Sequence, residues 1–230
     1  MNTAIIVAAG SGTRFGGYTP KQFLKIHGKP LIIYTIERFQ ECSAIDEIVL
    51  VLPERETENF AKIPAFYNLT KVKKIVAGGK TRTQSVLNGF NTVDSKRAKI
   101  IAVHDGARPL VQVDEISKTI AKALETGAAC LVGTVTDTIK KVKRGKIVRT
   151  VDRNQLRRAL TPQCFQYHIL RRAFESISVD ESATDECFIV EQSGYEVAVV
   201  EGSAANIKIT TAEDFAIVEK ALEKSKPGNV

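Results

Sequence analysis

The chain has 230 residues, 43% of them hydrophobic, enough for one well-buried core and for a single domain over 1–230. No apolar run approaches the ~18 to 20 residues of a membrane helix, and the chain enters Ala4, Ile5, Ile6 and Val7 without a basic leader, so membrane and secreted classes are set aside and a cytoplasmic location is expected. The 33 Lys and Arg against 26 Asp and Glu give a formal charge of +7, which suits nucleic acid, acidic membrane or phosphorylated small molecules.

In chain order, short β-branched runs predict strands at 3–8, 47–52, 73–76, 99–103, 130–135 and 196–200. Amphipathic segments between them predict helices at 31–39 behind Pro30, 82–93 behind a Thr81/Gln84 capping box, 113–125, 167–177, 184–192 and 212–223. This alternation predicts an α/β chain, three layers deep, on a mostly parallel sheet. Residues 138–151 break it with two basic, weakly apolar runs flanking Arg144-Gly145, a tight-turn dipeptide, and read as a hairpin outside the core. The densest basic run, 140–158, holds no aromatic residue for base stacking, which weighs against nucleic acid. Cys42, Cys130, Cys164 and Cys187 lack C-x-x-C spacing, so neither a zinc site nor a disulfide framework is expected.

Chemistry is signalled first at Ala8-Ala9-Gly10-Ser11-Gly12-Thr13-Arg14, directly after the first strand, with Pro20-Lys21-Gln22 beyond. Glycines let backbone N–H groups approach a polyphosphate, and Arg14 and Lys21 bring the balancing charge. Phe15 stands where a dinucleotide fingerprint needs glycine, and Lys74 stands where a Walker loop ending in Gly79-Lys80-Thr81 needs one, so neither motif is present. A second turn, Gly78 to Ser85, opens a helix and can offer amides and Ser85 to a base edge, although helix capping alone explains it. A third, His104-Asp105-Gly106-Ala107-Arg108-Pro109, ends an apolar strand where ligands of open sheets collect; Asp105 suits a hydroxyl or hydrated cation, and an Asp105–Arg108 pair that only orders the loop is equally compatible. His104 reads as packed rather than catalytic. Lys208, before the last helix, either faces the crevice or is a solvated strand lysine.

Together A-A-G-S-G-T-R, P-K-Q, G-G-x-x-R-x-x-S, H-D-G-A-R-P, V-T-D-T-I-K, V-D-R-N, T-P-Q, T-D-E and N-I-K-I-T, in that order over about residues 4–215, resemble the 2-C-methyl-D-erythritol 4-phosphate cytidylyltransferases of isoprenoid biosynthesis. The resemblance implies a Rossmann-like three-layer α/β/α nucleotidyltransferase with a protruding β-hairpin arm at about 136–158 that forms a homodimer. It implies transfer of CMP from CTP to the polyol phosphate with release of pyrophosphate, without nucleic acid or membrane. Ala8, Ala9, Gly10, Ser11, Gly12 and Thr13 would hold the triphosphate; Gly79, Lys80, Arg82 and Ser85 would read cytosine. Asp105, Arg108, Thr138, Arg153, Thr161 and Lys208 would hold the polyol phosphate, and Arg14, Lys21, Arg153 and Lys208 would be the catalytic cations. Mg²⁺ or another divalent cation would rest mainly on the CTP phosphates, with no protein ligand assigned. Two positions depart from the pattern: Arg157 where relatives often carry Trp, and Lys80 where an acid is often found. A ribitol 5-phosphate cytidylyltransferase and a non-catalytic basic nucleotide-binding module are the alternatives; the V-T-D-T-I-K and V-D-R-N pair favours methylerythritol phosphate over ribitol phosphate.

Overall fold

In the computed structural model, which describes residues 1–10, 20–176 and 183–224, the strand runs and helical periods alternate along the chain. Strand β1 (Asn2–Val7) leads, past a short 3-10 turn at Lys21–Phe23, to a small hairpin of β2 (Lys25–Ile26) and β3 (Lys29–Pro30), then α1 (Leu31–Glu41) and β4 (Glu47–Leu52). Next come α2 (Glu54–Phe60), α3 (Ile63–Phe66), β5 (Val72–Ala77), α4 (Arg82–Phe90), β6 (Ile100–Asp105), α5 (Val113–Thr126) and β7 (Ala128–Thr134). The hairpin of β8 (Ile139–Lys143) and β9 (Lys146–Val151) follows, then β10 (Arg157–Gln166), α6 (Tyr167–Ser176), α7 (Glu186–Gln192), β11 (Ala198–Glu201) and α8 (Ala212–Lys224).

Seven strands form one sheet in the order β11-β7-β10-β6-β1-β4-β5. Strand β1 pairs in parallel with β4 on one side and β6 on the other, so the chain reverses direction across the sheet at β1 and opens a crevice at the carboxyl ends of these strands. The period-two alternation of β1 divides the core. Ala4 and Ile6 pack with Ile32, Ile36 and Phe39 of α1 and Ile116 and Ile120 of α5, whereas Ile5 faces Val86 of α4 and Leu170 of α6. Each such buried Ile or Leu contributes about 1.5–3 kcal/mol relative to exposure, which is why two helical layers clamp a sheet apolar on both faces. A third cluster joins Ile26, Leu31 and Ala107 to Ile209, Val218 and Leu222, docking α8 beside the crevice.

Several expectations need correction. Strand β10 was not anticipated; it runs antiparallel between β6 and β7, making the sheet mixed at that point. Its sequence holds Pro162, which removes a ladder donor, and the register with β7 shifts between Ala159 and Gln163, where a strand tolerates proline. The short, charged α2 and the proline-containing α3 were also not anticipated. Helix α4 ends at Phe90, short of the predicted residue 93, and only half of its capping box forms: Thr81 Oγ1 accepts from the Gln84 amide N–H at 3.0 Å, but the Gln84 side chain donates to Asn88. Helix α7 begins two residues later than expected, with Asp185 as its cap. The basic hairpin does stand outside the core. Arg144 and Gly145 both adopt positive φ (51° and 73°), the backbone that closes a two-residue hairpin with the native twist, and Val142, Ile147 and Val148 are exposed.

Candidate active site

Glycine permits the close approach that shapes the crevice. The Gly106 N–H donates to Val7 O at 2.8 Å, and a Cβ there would sit 2.8 Å from the Ala8 Cβ, so the third motif is drawn against the first loop. Gly78 is held likewise: its N–H donates to Leu52 O at 2.8 Å, and a Cβ would lie 2.2 Å from the Ala9 Cβ. The first loop is tied from its other side by Gln22, whose buried amide donates to Ala8 O (2.7 Å) and Gly10 O (3.0 Å). Ser11, Gly12, Thr13 and Arg14 lie outside the described residues.

At the end of β6, Asp105 is the centre of charge. Its Oδ1 accepts from Arg82 Nε at 3.1 Å, and its Oδ2 from Arg108 Nε at 3.2 Å and faces Lys208 Nζ at 3.0 Å. Burial alone would raise its pKa, but Arg82, Lys208 and Arg108 outweigh that penalty and hold the carboxyl well below the usual carboxylate range. Arg82 is divided between two acids: while Nε serves Asp105, Nη1 reaches both oxygens of Glu186 at 2.8 and 2.7 Å. Glu186 is fully buried; burial raises its pKa, against the pull of Arg82. Arg108 is anchored by Asn206 O at 2.9 Å. Lys21 joins the same edge, its ammonium donating to Ile209 O at 2.6 Å, one residue from Lys208.

Beneath Asp105 lies a buried polar support. Thr161 is 3% exposed; its hydroxyl contacts His104 Nδ1 at 2.9 Å and accepts from the Asp105 N–H at 3.2 Å. His104 Nε2 meets Arg108 O at 3.3 Å, which assigns the proton to Nε2 and makes Nδ1 the acceptor. Burial is the main reason that its pKa is lowered to about 3, so the ring stays neutral, packed at a 53° tilt against Phe39. Thr161, expected to face the polyol phosphate, therefore faces inward, with its donor and one acceptor role already filled.

In the second turn, Ser85 is also directed inward: its hydroxyl donates to Thr81 O at 2.9 Å and accepts from the Gly79 N–H at 3.0 Å. It braces the turn, leaving one lone pair for anything else. Lys80 is exposed. Thr138 and Arg153 stand exposed at the foot of the hairpin, where Arg153 donates to Thr136 O. Among the described residues, no hydrogen bond or ion pair joins either to the Asp105 group. Residues that sequence reasoning left without a role are Gln22, Gln163 and Glu186. Gln163 and Glu186 lie in the T-P-Q and T-D-E motifs, but nothing in their spacing shows that Glu186 meets a residue 104 positions away.

A crevice that gathers cations at the carboxyl ends of parallel strands, against a glycine loop, defines an α/β enzyme of phosphorylated ligands. The sequence profile of the 2-C-methyl-D-erythritol 4-phosphate cytidylyltransferases matches residues 2–224. The chain is 43% identical over 225 residues to the enzyme of that name from Clostridium botulinum (strain Loch Maree / Type A3), covering 97% of this chain and 98% of that one. Among solved structures it resembles the 4-diphosphocytidyl-2C-methyl-D-erythritol synthase of Anaerococcus prevotii (TM-score 0.85, 26% identity, 96% of each chain). It also resembles the 2-C-methyl-D-erythritol 4-phosphate cytidylyltransferase of Francisella tularensis (TM-score 0.78, 31% identity, 95% and 99% of the two chains). The chain belongs to the 2-C-methyl-D-erythritol 4-phosphate cytidylyltransferase family and is a nucleotidyltransferase.

Proposed function

We propose that this chain, one nucleotidyltransferase domain over 1–230, transfers the CMP moiety of CTP to 2-C-methyl-D-erythritol 4-phosphate in the cytoplasm, releasing pyrophosphate. The observation that carries the reading is the convergence of Arg82, Arg108 and Lys208 on Asp105, with Lys21 one residue from Lys208 along the backbone it grips. Two anions must meet for the reaction to proceed. The polyol phosphate attacks the α-phosphorus of CTP in line, the bond to the β-phosphate oxygen breaks, and the leaving pyrophosphate carries its electron pair away. A phosphate dianion is already a nucleophile, so no general base is needed, in keeping with a His104 that is buried and neutral.

In this reading the first loop, with Arg14 and Lys21, holds the triphosphate, and Lys21 and Lys208 stabilise the charge that grows on the α-phosphoryl oxygens. Gly79, Lys80, Arg82 and Ser85 shape the base site, with Ser85 acting through the turn it braces. Asp105 and Arg108 hold the polyol phosphate, and Thr161 supports Asp105 from below. A carboxylate has roughly four acceptor positions, of which three cationic donors occupy three, so Asp105 retains one for a divalent cation or its water, and the rest of that ion's shell falls to the triphosphate. Such a cation, when bound, neutralises phosphate charge. The arm at 136–158 crosses a two-fold axis in a homodimer, covering Val142, Ile147 and Val148 and bringing Thr138 and Arg153 to the partner's crevice. An isolated two-stranded hairpin is marginal in water, which favours a surface beneath it.

The test is pyrophosphate release by the purified chain with CTP, a divalent cation and either 2-C-methyl-D-erythritol 4-phosphate or ribitol 5-phosphate. Release with the first supports the reading. Release with the second alone moves the assignment to the other polyol, and release with neither overturns it.

A further inference from the structure

Glu186 lies on the first turn of α7, far from the phosphate loop in sequence, yet it holds Arg82, the residue that links the second turn to Asp105. It is completely buried, and both of its oxygens accept from Arg82 Nη1. Burying an ion pair is costly in desolvation, and replacing such a pair by apolar residues is often neutral or better for stability. A pair kept at this position therefore invites a role other than stability. Arg82 is the first residue of α4, directly after the Thr81 cap of the second turn, and its Nε grips Asp105. A guanidinium facing one carboxylate prefers the two-pronged arrangement. Glu186 draws Nη1 to both of its oxygens while Asp105 receives only Nε, which leaves its Oδ2 to Arg108 and Lys208.

The placement of Glu186 is itself built. Gln163 of β10, 1% exposed, accepts from the backbone N–H groups of Glu186 and Cys187 at 3.2 Å each and donates to Asp185 Oδ2 at 2.8 Å. Asp185 in turn caps α7 through the Phe188 N–H at 2.9 Å. The order of support thus runs from β10 to α7, to Arg82, to Asp105 and to Lys208.

We propose that Glu186 is a positioning residue for the polyol-phosphate subsite: by holding Arg82 through two hydrogen bonds, it keeps the Asp105 carboxylate turned toward Arg108 and Lys208. Without it, Arg82 swings to a two-pronged grip on Asp105 and draws that carboxylate away from Lys208. The inference rests on the assignment of Asp105, Arg108 and Lys208 to the polyol phosphate. It predicts a larger effect on the polyol phosphate than on CTP, because Arg82 keeps its place at the start of α4 while the Asp105 carboxylate is displaced.

Steady-state kinetics of Glu186→Gln, a near-isosteric change that removes the charge, provides the test, with thermal unfolding to confirm that the variant is folded. The KM for the polyol phosphate should rise about tenfold or more, the scale of one lost charge-assisted hydrogen bond, while the KM for CTP changes by less than about threefold. Added to Arg82→Gln, Glu186→Gln should have no further effect on that KM, because Glu186 acts only through Arg82. If Glu186→Gln fails to fold, Glu186→Asp, which keeps the charge but shortens its reach to Arg82, decides by the same split between the two KM values. Equal changes in both KM values, no change in either, or additivity with Arg82→Gln overturns the proposal. Absence of turnover by the unaltered protein with any polyol phosphate indicts the site assignment instead.

Discussion

The Asp105 cluster and the β8–β9 hairpin both concentrate positive charge, but the two regions are built on opposite principles. Around Asp105, Arg82, Arg108 and Lys208 are each matched to an acidic oxygen, and the side chain that joins them is 9% exposed. On the hairpin, the basic side chains lie in water beside exposed Val142, Ile147 and Val148. The cluster is organised by its own chain; the hairpin leaves its apolar side chains uncovered within its own chain. Charge in a buried network is fixed in place before substrate arrives and can act on a reacting phosphate, whereas the same charge on a solvated strand is screened and mobile.

The sharpest way to break this distinction is to remove a cation from the organised side. Lys21→Ala should lower kcat by about 10² to 10³ and raise the CTP KM much less, because a preorganised donor contributes most as charge develops in the transition state. Unchanged turnover would mean that the crevice cations bind without catalysing. On the hairpin side, Ile147→Lys should shift the proposed dimer to monomer in sedimentation, since a buried Ile contributes about 1.5–3 kcal/mol at an interface core and a lysine there carries an unpaired charge. The thermal midpoint of the monomer's own fold should move little, because Ile147 is 66% exposed within the chain. A dimer unaffected by this change would place the interface elsewhere.

A third prediction joins the two regions. Arg153→Ala and Lys208→Ala chains should each be nearly inactive alone, and after subunit exchange of an equal mixture about a quarter of the sites should be intact, because half of the dimers are mixed and each has one site free of both changes. No recovered activity after exchange would confine Arg153 to its own chain's site.

What the sequence made legible follows the same division. Glycine turns at strand ends, the exposed basic hairpin and its Arg144-Gly145 turn were readable because local backbone chemistry dictates them. Strand β10 was not, because Pro162 and Gln163 argue locally against a central strand; its place depends on pairing with β6 and β7 and on a register shift that accommodates the proline. Nor were the inward turns of Thr161 and Ser85, whose hydroxyls serve His104 and Thr81. A polar residue in a motif announces that it has a partner without saying whether the partner is ligand or protein. Glu186 and Gln163 are the clearest cases, since their partners come from other elements and only the folded chain brings them together.

The smallest effect expected concerns His104, which belongs to the buried cluster but not to its chemistry. Burial is the largest cause of its depressed pKa; the Asp105 charge and the Arg108 carbonyl oppose it, while the Arg108 and Arg82 charges reinforce it, leaving a value of about 3. In the unfolded chain the ring titrates near 6.5, so between about pH 6.5 and 3 the unfolded state binds a proton that the folded state refuses, and stability falls as the pH drops. The slope approaches ~1.4 kcal/mol per pH unit once the unfolded ring is fully protonated. Asp105 contributes in a different window: its folded pKa is depressed below 3.8, so the stability it lends is present above that value and is lost only as the pH falls below it. His104→Gln keeps an amide donor for Arg108 O and an acceptor for Thr161, but loses the ring contact with Phe39, so it should be the less stable protein at pH 7.5. Denaturant unfolding at a series of pH values should then show the gap between parent and variant shrinking from pH 6.5 to 4.5, because only the parent carries the acid-sensitive ring. A gap that stays constant over that interval would mean that the folded protein accepts the proton, and the ring beneath Asp105 would then be a charge in the site rather than its neutral support.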